Sequence, residues 1–203
     1  MKPIISLCLL LMISIGLSAQ LDSNLIHRLD AMVTADQQCR GIVRAIRNGQ
    51  SDTISIDQAN SQMRKTDSLH GIQLKAIFDQ YGFVGYDLAG KAGSHHFWML
   101  VQHQDQHVDF QLAVLEKMKV AAENGNASFQ DYAYLIDRIK VNQGQPQIYG
   151  TQLTLNEDST SYTPKPVIAP DQLNTRRATA GLPPIEFYIK AMNKRHFGTI
   201  KKE

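Results

Sequence analysis

The sequence predicts a mainly α fold: a helical array in a single domain, with one small β-hairpin near residues 148–168. Long stretches of the chain place apolar residues three and four positions apart, which is the spacing of a helix with one buried face. Two β-prone stretches, 148–155 and 162–168, are separated by residues that favour a turn. No internal repeat or low-complexity tract indicates another architecture.

The first twenty residues are expected to be a secretory signal that is cleaved. Residues 4–17 form an apolar run that is short for a membrane span. The run ends in Leu17-Ser18-Ala19-Gln20, small residues of the kind that a signal peptidase accepts. Residues 21–203 would then form one mainly helical domain in the periplasm or outside the cell, with no stable membrane span.

Charge and cysteine usage narrow the class of protein. The formal net charge is +2, or +1 without Lys2 of the leader, and this excludes a strongly basic nucleic-acid binder. Cys8 would leave with the leader, so Cys39 is expected to be the single cysteine of the mature chain. Free cysteines usually act as small packing residues, although a lone thiol in an exported protein can also be reactive.

Two long helices are predicted in the first part of the mature chain. The first covers 21–46 and ends before turn residues at 49–52. Ser55 and Gln58 have the spacing of a capping box, which predicts the start of a second helix, Ile56–Tyr81. The glycine-rich segment 83–93 is expected to form a loop or a short extended stretch.

Five shorter elements are predicted in the rest of the chain. Residues 94–104 form the most apolar helix, and start signals near Asp105 and Asp109 predict another helix at 110–123. Ser128 is expected to cap a helix that ends at Asn142. After the hairpin, Pro170 begins a helix that is stopped by 181–184, and a final helix covers Ile185–Phe197.

Four of the seven histidines lie between positions 95 and 107. His96 and His103 are two helical turns apart, so they lie within about 20° of each other on one helix face. His107 would extend this row and complete a site for zinc or copper. Apolar residues on the same face and the helix break at Asp105 favour the alternative, in which these histidines bond to backbone or carboxylate groups.

His103 and Asp105 form the strongest candidate for acid–base chemistry. The end of a helix favours a protonated histidine, because the helix dipole is negative there. A carboxylate two residues away can orient the imidazole, as a catalytic base requires. The sequence has no serine or cysteine in a recognisable nucleophile elbow, which leaves covalent catalysis without support.

Several arginines have two interpretations. Arg138, next to Asp137, either forms an ion pair that ties helices together or presents its guanidinium to an anionic ligand. Arg176 and Arg177 raise the same question.

The segment 147–152 joins the helical part to the hairpin and contains Tyr149, Gly150 and Gln152. Gly150 permits the close approach of a ligand or of another backbone, with Gln152 beside it as donor and acceptor. A buried glutamine that pins the hairpin to the helices explains the same residues equally well.

Five motifs follow one another along the chain. They are Gln102-His103-Gln104-Asp105, Phe110-Gln111, the Ala-Tyr-Leu-Ile-Asp-Arg of 133–138, the Gly-Gln-Pro-Gln-Ile-Tyr-Gly-Thr-Gln of 144–152 and the Arg-Arg-Ala-Thr-Ala-Gly-Leu-Pro-Pro of 176–184. In these motifs the chain resembles, over roughly residues 36–188, a bacterial family of exported or cytosolic helical proteins of unknown function. The resemblance implies a shared fold but no activity. Family members often carry Asp-Pro where this chain has His107-Val108, which favours a helix start there and weakens the row of three histidines.

The polar residues of these motifs are expected to line one pocket where a helix end, a second helix and the hairpin meet. Catalytic roles fall to His103, Asp105 and Arg138, and ligand binding to Asp137, Tyr149, Gln152, Arg176 and Arg177. The predicted ligand is small and polar or anionic, without a cofactor, and hydrolysis or another acid–base reaction is the expected chemistry. Two alternatives stay open: a non-catalytic ligand-binding or interaction domain whose polar network is structural, and a metal-binding protein that uses His96 and His103.

Overall fold

The computed structural model describes residues 20–198, so the predicted leader, 1–20, lies outside the described residues except for Gln20. Within this part the fold is mainly α, as predicted, with one two-stranded antiparallel hairpin. The elements are α1 (Ser23–Arg47), α2 (Ile56–Tyr81), α3 (Tyr86–Gln102), α4 (Val108–Glu123), α5 (Phe129–Asn142), β1 (Leu153–Leu155), β2 (Tyr162–Pro164), a 3₁₀ helix (Pro170–Gln172), α6 (Leu173–Thr179) and α7 (Ile185–Phe197).

Helices α1 and α2 begin at capping residues that satisfy their free N–H groups. The Asp22 side chain accepts a hydrogen bond from the Leu25 N–H at the start of α1. Ser55 and Gln58 form both bonds of the predicted capping box at the start of α2. These two helices pack against each other and against α3, and this three-helix contact positions the site described below.

The prediction of a loop at 83–93 is wrong, because α3 already begins at Tyr86. Two of the glycines have defined roles in this helix. Gly85 is the N-cap, where a Cβ would lie 2.2 Å from the Asn126 Nδ2. Gly90, with φ +66° and ψ 177°, is non-helical, so α3 consists of two helical segments that meet at a kink. Sequence patterns for glycine favour loops, whereas here close packing and a kink account for the residues.

The predicted hairpin is present, but its strands are shorter than the β-prone stretches. Leu153–Leu155 pairs with Tyr162–Pro164, and a single parallel bridge joins Gln147 to Val167. The backbone N–H groups before β1 donate to the Asp137 carboxylate of α5, so they are not available for a strand ladder.

The main hydrophobic core lies between the first five helices. Phe97, Leu100 and Val101 of α3 are almost completely buried in it, in agreement with the prediction that this is the most apolar helix. A smaller cluster, Ala133 with Ala180 and Leu182, packs α5 against the end of α6.

Two further findings concern the cysteine of α1 and the capacity of the helices to cross a membrane. Cys39 is a free, buried cysteine of α1, which agrees with the predicted packing role. Among the described residues, no helix is both long enough and apolar enough to cross a membrane.

Candidate functional site

A cleft of about 510 Å³ opens where the end of α3 meets the sides of α1 and α2. We call it the central cleft. Its walls come from α1, from α2 and from the turn between α3 and α4. The lining residues are Arg40, Met63, Arg64, Asp67, Ser68 and the turn residues 103–107.

His103 lies at the C-terminal end of α3 and is held there by a carboxylate. Its Nδ1 is 3.0 Å from the Asp36 Oδ1 of α1. The His103 side chain is 14% exposed and the Asp36 side chain is 1% exposed. An ionised carboxylate only accepts hydrogen bonds, so Nδ1 carries a proton, and in the neutral imidazole the lone pair is on Nε2. The residue that orients His103 is therefore Asp36, and the sequence-based assignment of Asp105 to this role is wrong.

Asp36 is the centre of a buried polar network. Arg40 donates through Nε to the Asp36 Oδ1 at 2.9 Å and through Nη2 to the Asp67 Oδ1 at 2.6 Å. Gln37 donates to the Asp36 Oδ2 at 2.8 Å. Burial would raise the pKa of Asp36, but the hydrogen bond and charge of His103, followed by Arg40, outweigh it and lower this pKa. Asp36 is therefore ionised beside His103.

Asp67 and His70 of α2 occupy the other side of this network. Burial raises the pKa of Asp67, although the positive charge of Arg40 opposes the change. Burial also lowers the pKa of His70, which favours its neutral form. The His70 Nδ1 is buried and has no hydrogen-bond partner among the described residues.

The sequence contained a signal for Asp36 that the motif-based reasoning missed. The buried residues of α1 follow a regular spacing of four and three positions: Leu25, Leu29, Met32, Asp36, Cys39 and Val43. A charged residue in the middle of such an apolar row must find a partner inside the protein, because an unpaired buried charge is costly. This interruption indicates a functional or structural carboxylate, although it does not identify His103 as its partner.

Asp105 is bound to Arg138 of α5. Arg138 donates through Nε and Nη2 to the two carboxylate oxygens at 2.7 and 2.6 Å, and Asn142 donates to the Asp105 Oδ1 at 2.8 Å. Burial opposes ionisation, but the Arg138 bond and charge outweigh it and lower the pKa of Asp105. The pair ties the α3–α4 turn to α5, and the Arg138 guanidinium is already occupied by a carboxylate. Its partner is Asp105 and not the neighbouring Asp137.

Asp137 is completely buried and binds the loop before β1. Its oxygens accept hydrogen bonds from the backbone N–H groups of Ile148, Tyr149 and Thr151, at 2.7 to 3.1 Å, and from the Thr151 hydroxyl at 3.0 Å. Each oxygen of the Asp137 carboxylate thus accepts hydrogen bonds from donors within the protein. This arrangement fixes the hairpin to α5.

The buried glutamine of this segment is Gln147 and not Gln152, and it joins the two sides of the hairpin to each other, not the hairpin to the helices. The Gln147 Nε2 donates to the carbonyl oxygens of Gln152 and Lys165 at 2.9 and 2.8 Å, and its Oε1 accepts from the Gln152 N–H. Among the described residues, the Gln152 side chain donates to the Thr151 hydroxyl alone. Gly150, with φ +67°, lies against the Leu173 and Ile185 side chains, where a Cβ would be 3.3 Å from each.

Arg176 and Arg177 also bind backbone carbonyl groups. Arg176 donates to the carbonyl oxygens of Ile148, Ile168 and Ala169. Arg177 is 1% exposed and donates to the carbonyl oxygens of Tyr149 and Pro183, while its guanidinium stacks on the Tyr188 ring. Both arginines connect α6 to the loop before β1.

Three of the four clustered histidines bond to separate carboxylates. His95 and His96 contact Asp131 and Asp30 through Nδ1, at 2.9 and 2.8 Å, and His103 contacts Asp36. His107 is the N-cap of α4, which confirms the helix start expected there, and it also lines the central cleft. Within residues 20–198, no group of three or more His, Cys, Asp and Glu side chains is arranged to hold a metal ion.

The predicted site residues thus separate into two regions. His103 and Asp105 line the central cleft, together with residues of α1 and α2 that the sequence reasoning did not select. The other residues lie outside this lining. They are Arg138, Asp137, Tyr149, Gln152, Arg176 and Arg177. The expectation that all eight line one pocket beside the hairpin is wrong, because the hairpin binds α5 and α6 while the cleft is formed by α1, α2 and the turn between α3 and α4.

Comparison with known proteins gives one match. The model of a family of unknown function, DUF6624, matches residues 23–201. No curated protein and no solved structure matches the chain.

Proposed function

The chain belongs to the DUF6624 family, whose function is unknown, and we propose that it is an acid–base enzyme, of which a hydrolase is the simplest case. In this proposal, His103 is the general base of the central cleft and Asp36 is the residue that orients it. The ligand is a small polar or anionic molecule, and no cofactor takes part.

One observation carries the proposal: the pairing of His103 with the buried Asp36 at the wall of an open cleft. A carboxylate on Nδ1 fixes the tautomer, orients the ring and stabilises the imidazolium that forms when Nε2 accepts a proton. His96 of α3 and Asp30 of α1 form a similar pair, but neither residue lines the cleft. The cleft distinguishes a candidate base from a surface ion pair.

The remaining residues of the cleft suggest how the reaction proceeds. Nε2 of His103 takes a proton from a water molecule, the water oxygen attacks the electrophilic centre, and the proton returns to the leaving group. Ser68 also lines the cleft but forms no hydrogen bond with His103 in the described structure, so we assign the nucleophile to water. Arg64, which lines the cleft without a carboxylate partner among residues 20–198, supplies positive charge for an anionic substrate.

The test is hydrolysis of four p-nitrophenyl esters by the mature protein and its variants. The substrates are p-nitrophenyl acetate, p-nitrophenyl phosphate, bis(p-nitrophenyl) phosphate and p-nitrophenyl sulfate. We expect His103→Asn to lower kcat/KM on the accepted substrate by about 100-fold or more, the usual contribution of a general base. Asp36→Asn should lower it by a smaller factor, because the imidazole remains but loses its orienting carboxylate.

The matched control is His96→Asn, which removes a second His–Asp pair of α3, one that lies outside the cleft, and should leave kcat/KM unchanged. Thermal unfolding of each variant separates loss of chemistry from loss of fold. Equal turnover in wild type, His103→Asn and His96→Asn would contradict the proposal. It would also be contradicted if wild type hydrolysed none of these substrates and His103→Asn were unfolded.

A second candidate is a non-catalytic ligand-binding or interaction domain. It is favoured by the bonding of Asp137, Arg176 and Arg177, whose polar groups contact backbone groups in the way of a structural network. In that case His103→Asn abolishes no activity but lowers the melting temperature, since Asp36 is left buried with a weaker partner.

We also propose that the chain is exported, with residues 1–20 removed. The supporting observation is the apolar run that ends in small residues. N-terminal sequencing of the protein recovered outside the cytoplasm should begin at Gln20 or Leu21, whereas recovery of the full chain with Met1 from the cytoplasm would contradict export.

A further inference from the structure

A second cavity of about 310 Å³ lies next to the central cleft, along α1. We call this second cavity the basic groove. Its lining consists of Arg40, Val43, Arg44, Arg47, Asn48 and Met63. Arg40 and Met63 also line the central cleft, so the two cavities share a wall.

The basic groove carries a positive charge that its own lining residues do not neutralise. No carboxylate is among its lining residues in the described structure. Arg40 is bound to Asp36 and Asp67, whereas Arg44 and Arg47 are exposed and have no salt-bridge partner within residues 20–198. Basic residues in the last turn of a helix are favoured by the helix dipole, which explains one or two arginines at the end of α1. It does not explain Arg64, which extends the positive charge along α2.

The three arginines of α1 form a row that leads away from the His103 site. Positions 40, 44 and 47 lie on one face of a helix, because they are four and three residues apart. At a rise of 1.5 Å per residue, Arg44 and Arg47 are about 6 and 10 Å along the axis from Arg40. Arg40 marks the reacting end of this row, since its Nε and the His103 Nδ1 bind the same Asp36 oxygen.

From the adjacency of the two cavities and the spacing of the arginines, and resting on the proposed function above, we infer that the substrate is an elongated oligoanion. Its reacting group lies beside His103 and Arg64 in the central cleft. A second phosphate or carboxylate group, about 6 to 10 Å away, is bound in the basic groove by Arg44 and Arg47. Neither cavity has a Phe, Tyr or Trp side chain among its described lining residues, so recognition acts on charged oxygens and not on stacked rings.

Calorimetric titration with anions of increasing length tests this inference. The first series is orthophosphate, tripolyphosphate and tetrapolyphosphate, and the second is acetate, glutarate and suberate, all at one ionic strength. We expect the affinity of the wild-type protein to rise with length in at least one series, because only the longer anions reach both sites. The series in which it rises identifies phosphate or carboxylate as the natural group.

The double variant Arg44→Gln/Arg47→Gln should lose about tenfold or more of the affinity for the longest anion and keep the weak affinity for the shortest one. Its matched control is Lys117→Gln/Lys119→Gln, which removes the same charge from the exposed face of α4 and should bind as wild type. Equal loss in both double variants would show that net charge alone is responsible. That result would overturn the inference, as would the absence of any length dependence.

His103→Asn separates this inference from the proposed function. If the variant binds the longest anion as tightly as wild type but has no hydrolytic activity, both statements stand. If Arg44 and Arg47 control binding while His103→Asn has full activity, the basic groove is retained and the role of His103 as the base is rejected.

Discussion

At the scale of single residues, the role of a polar side chain depends on how much of its hydrogen-bonding capacity the fold has already used. Asp36 and Asp137 are both fully buried carboxylates on helices. Asp137 is surrounded by donors from a single loop and is not among the lining residues of the central cleft. Asp36 binds His103, which lines the central cleft. Asp137 therefore stabilises the fold, whereas Asp36, in the function proposed above, acts on a ligand through His103.

The saturated bonding of Asp137 gives a prediction for stability. In Asp137→Asn an amide NH₂ replaces one acceptor and faces N–H donors of the loop, which leaves buried groups unsatisfied. We expect the free energy of unfolding to fall by about 2 to 4 kcal/mol in urea denaturation. Asp52→Asn, at an exposed turn residue, is the control and should change it by less than about 0.5 kcal/mol. A value for Asp137→Asn as small as that of the control would mean that the loop bonds contribute little.

His70 gives a prediction for pH dependence. Burial lowers its pKa from the model-peptide value of 6.5, so the unfolded chain binds a proton that the folded protein resists. Its contribution to stability is therefore complete above pH 6.5 and decreases as the pH falls below it. The charged groups that act on it are Asp36, Asp67, Arg40 and His103.

The measurement is the free energy of unfolding between pH 5 and 8 for wild type, His70→Gln and the exposed control His27→Gln. We expect the decrease below about pH 6.5 to be smaller in His70→Gln than in the other two proteins. Identical pH profiles for all three would contradict this prediction, because they would show that the pKa of His70 is the same in the folded and the unfolded protein.

At the scale of elements, the glycines separate into those that the fold needs and those that it tolerates. Gly85 caps α3 and leaves room for Asn126, whose side chain accepts from the Asp87 N–H and donates to the Asp87 carboxylate. Gly41 lies inside α1, and a Cβ there would have nothing within 4 Å. Sequence alone treats both residues as helix-disfavouring, because the difference between them depends on neighbours from other elements.

These two glycines give opposite predictions for one substitution. Gly41→Ala should stabilise the protein by about 0.5 to 1 kcal/mol, since alanine has the higher helix propensity and meets no neighbour. Gly85→Ala should destabilise it by about 1 to 3 kcal/mol, since the new Cβ would lie 2.2 Å from the Asn126 Nδ2. Thermal unfolding of both variants measures the difference, and a shift of the same sign in both would contradict this account.

The short strands of the hairpin have a related cause at the element scale. The β-prone sequence extends from 148 to 155, but the strand is restricted to Leu153–Leu155. Asp137, Arg176 and Arg177 take the N–H and carbonyl groups of the preceding loop. Strand propensity is overridden here because helices α5 and α6 offer those groups charged partners.

At the scale of the whole molecule, the central cleft and the basic groove exist because α1, α2 and α3 pack together. His103 ends one helix, its carboxylate partner is on another, and Asp67 and Arg64 come from the third. The predicted binding of an elongated anion belongs to this scale, because the packing of the helices places the His103 site at one end of the row of arginines on α1. An isolated helix would present the same arginines without a reacting centre.

The sequence by itself determined the helical character of the chain and most element boundaries, such as the start of α2 at the Ser55 capping box and the end of α5 at Asn142. These features depend on bonds between residues three or four positions apart, so local patterns are sufficient to predict them. The position of His103 at a helix end belongs to the same class.

Only the tertiary structure decided which residues share a site. Asp36 is 67 positions from His103 in the sequence and contacts it because two helix faces meet. Asp105, only two positions from His103, binds Arg138 of another helix. The pairing of charged groups in a folded protein follows the packing of apolar faces, which brings distant residues within hydrogen-bond distance and turns near neighbours towards different partners.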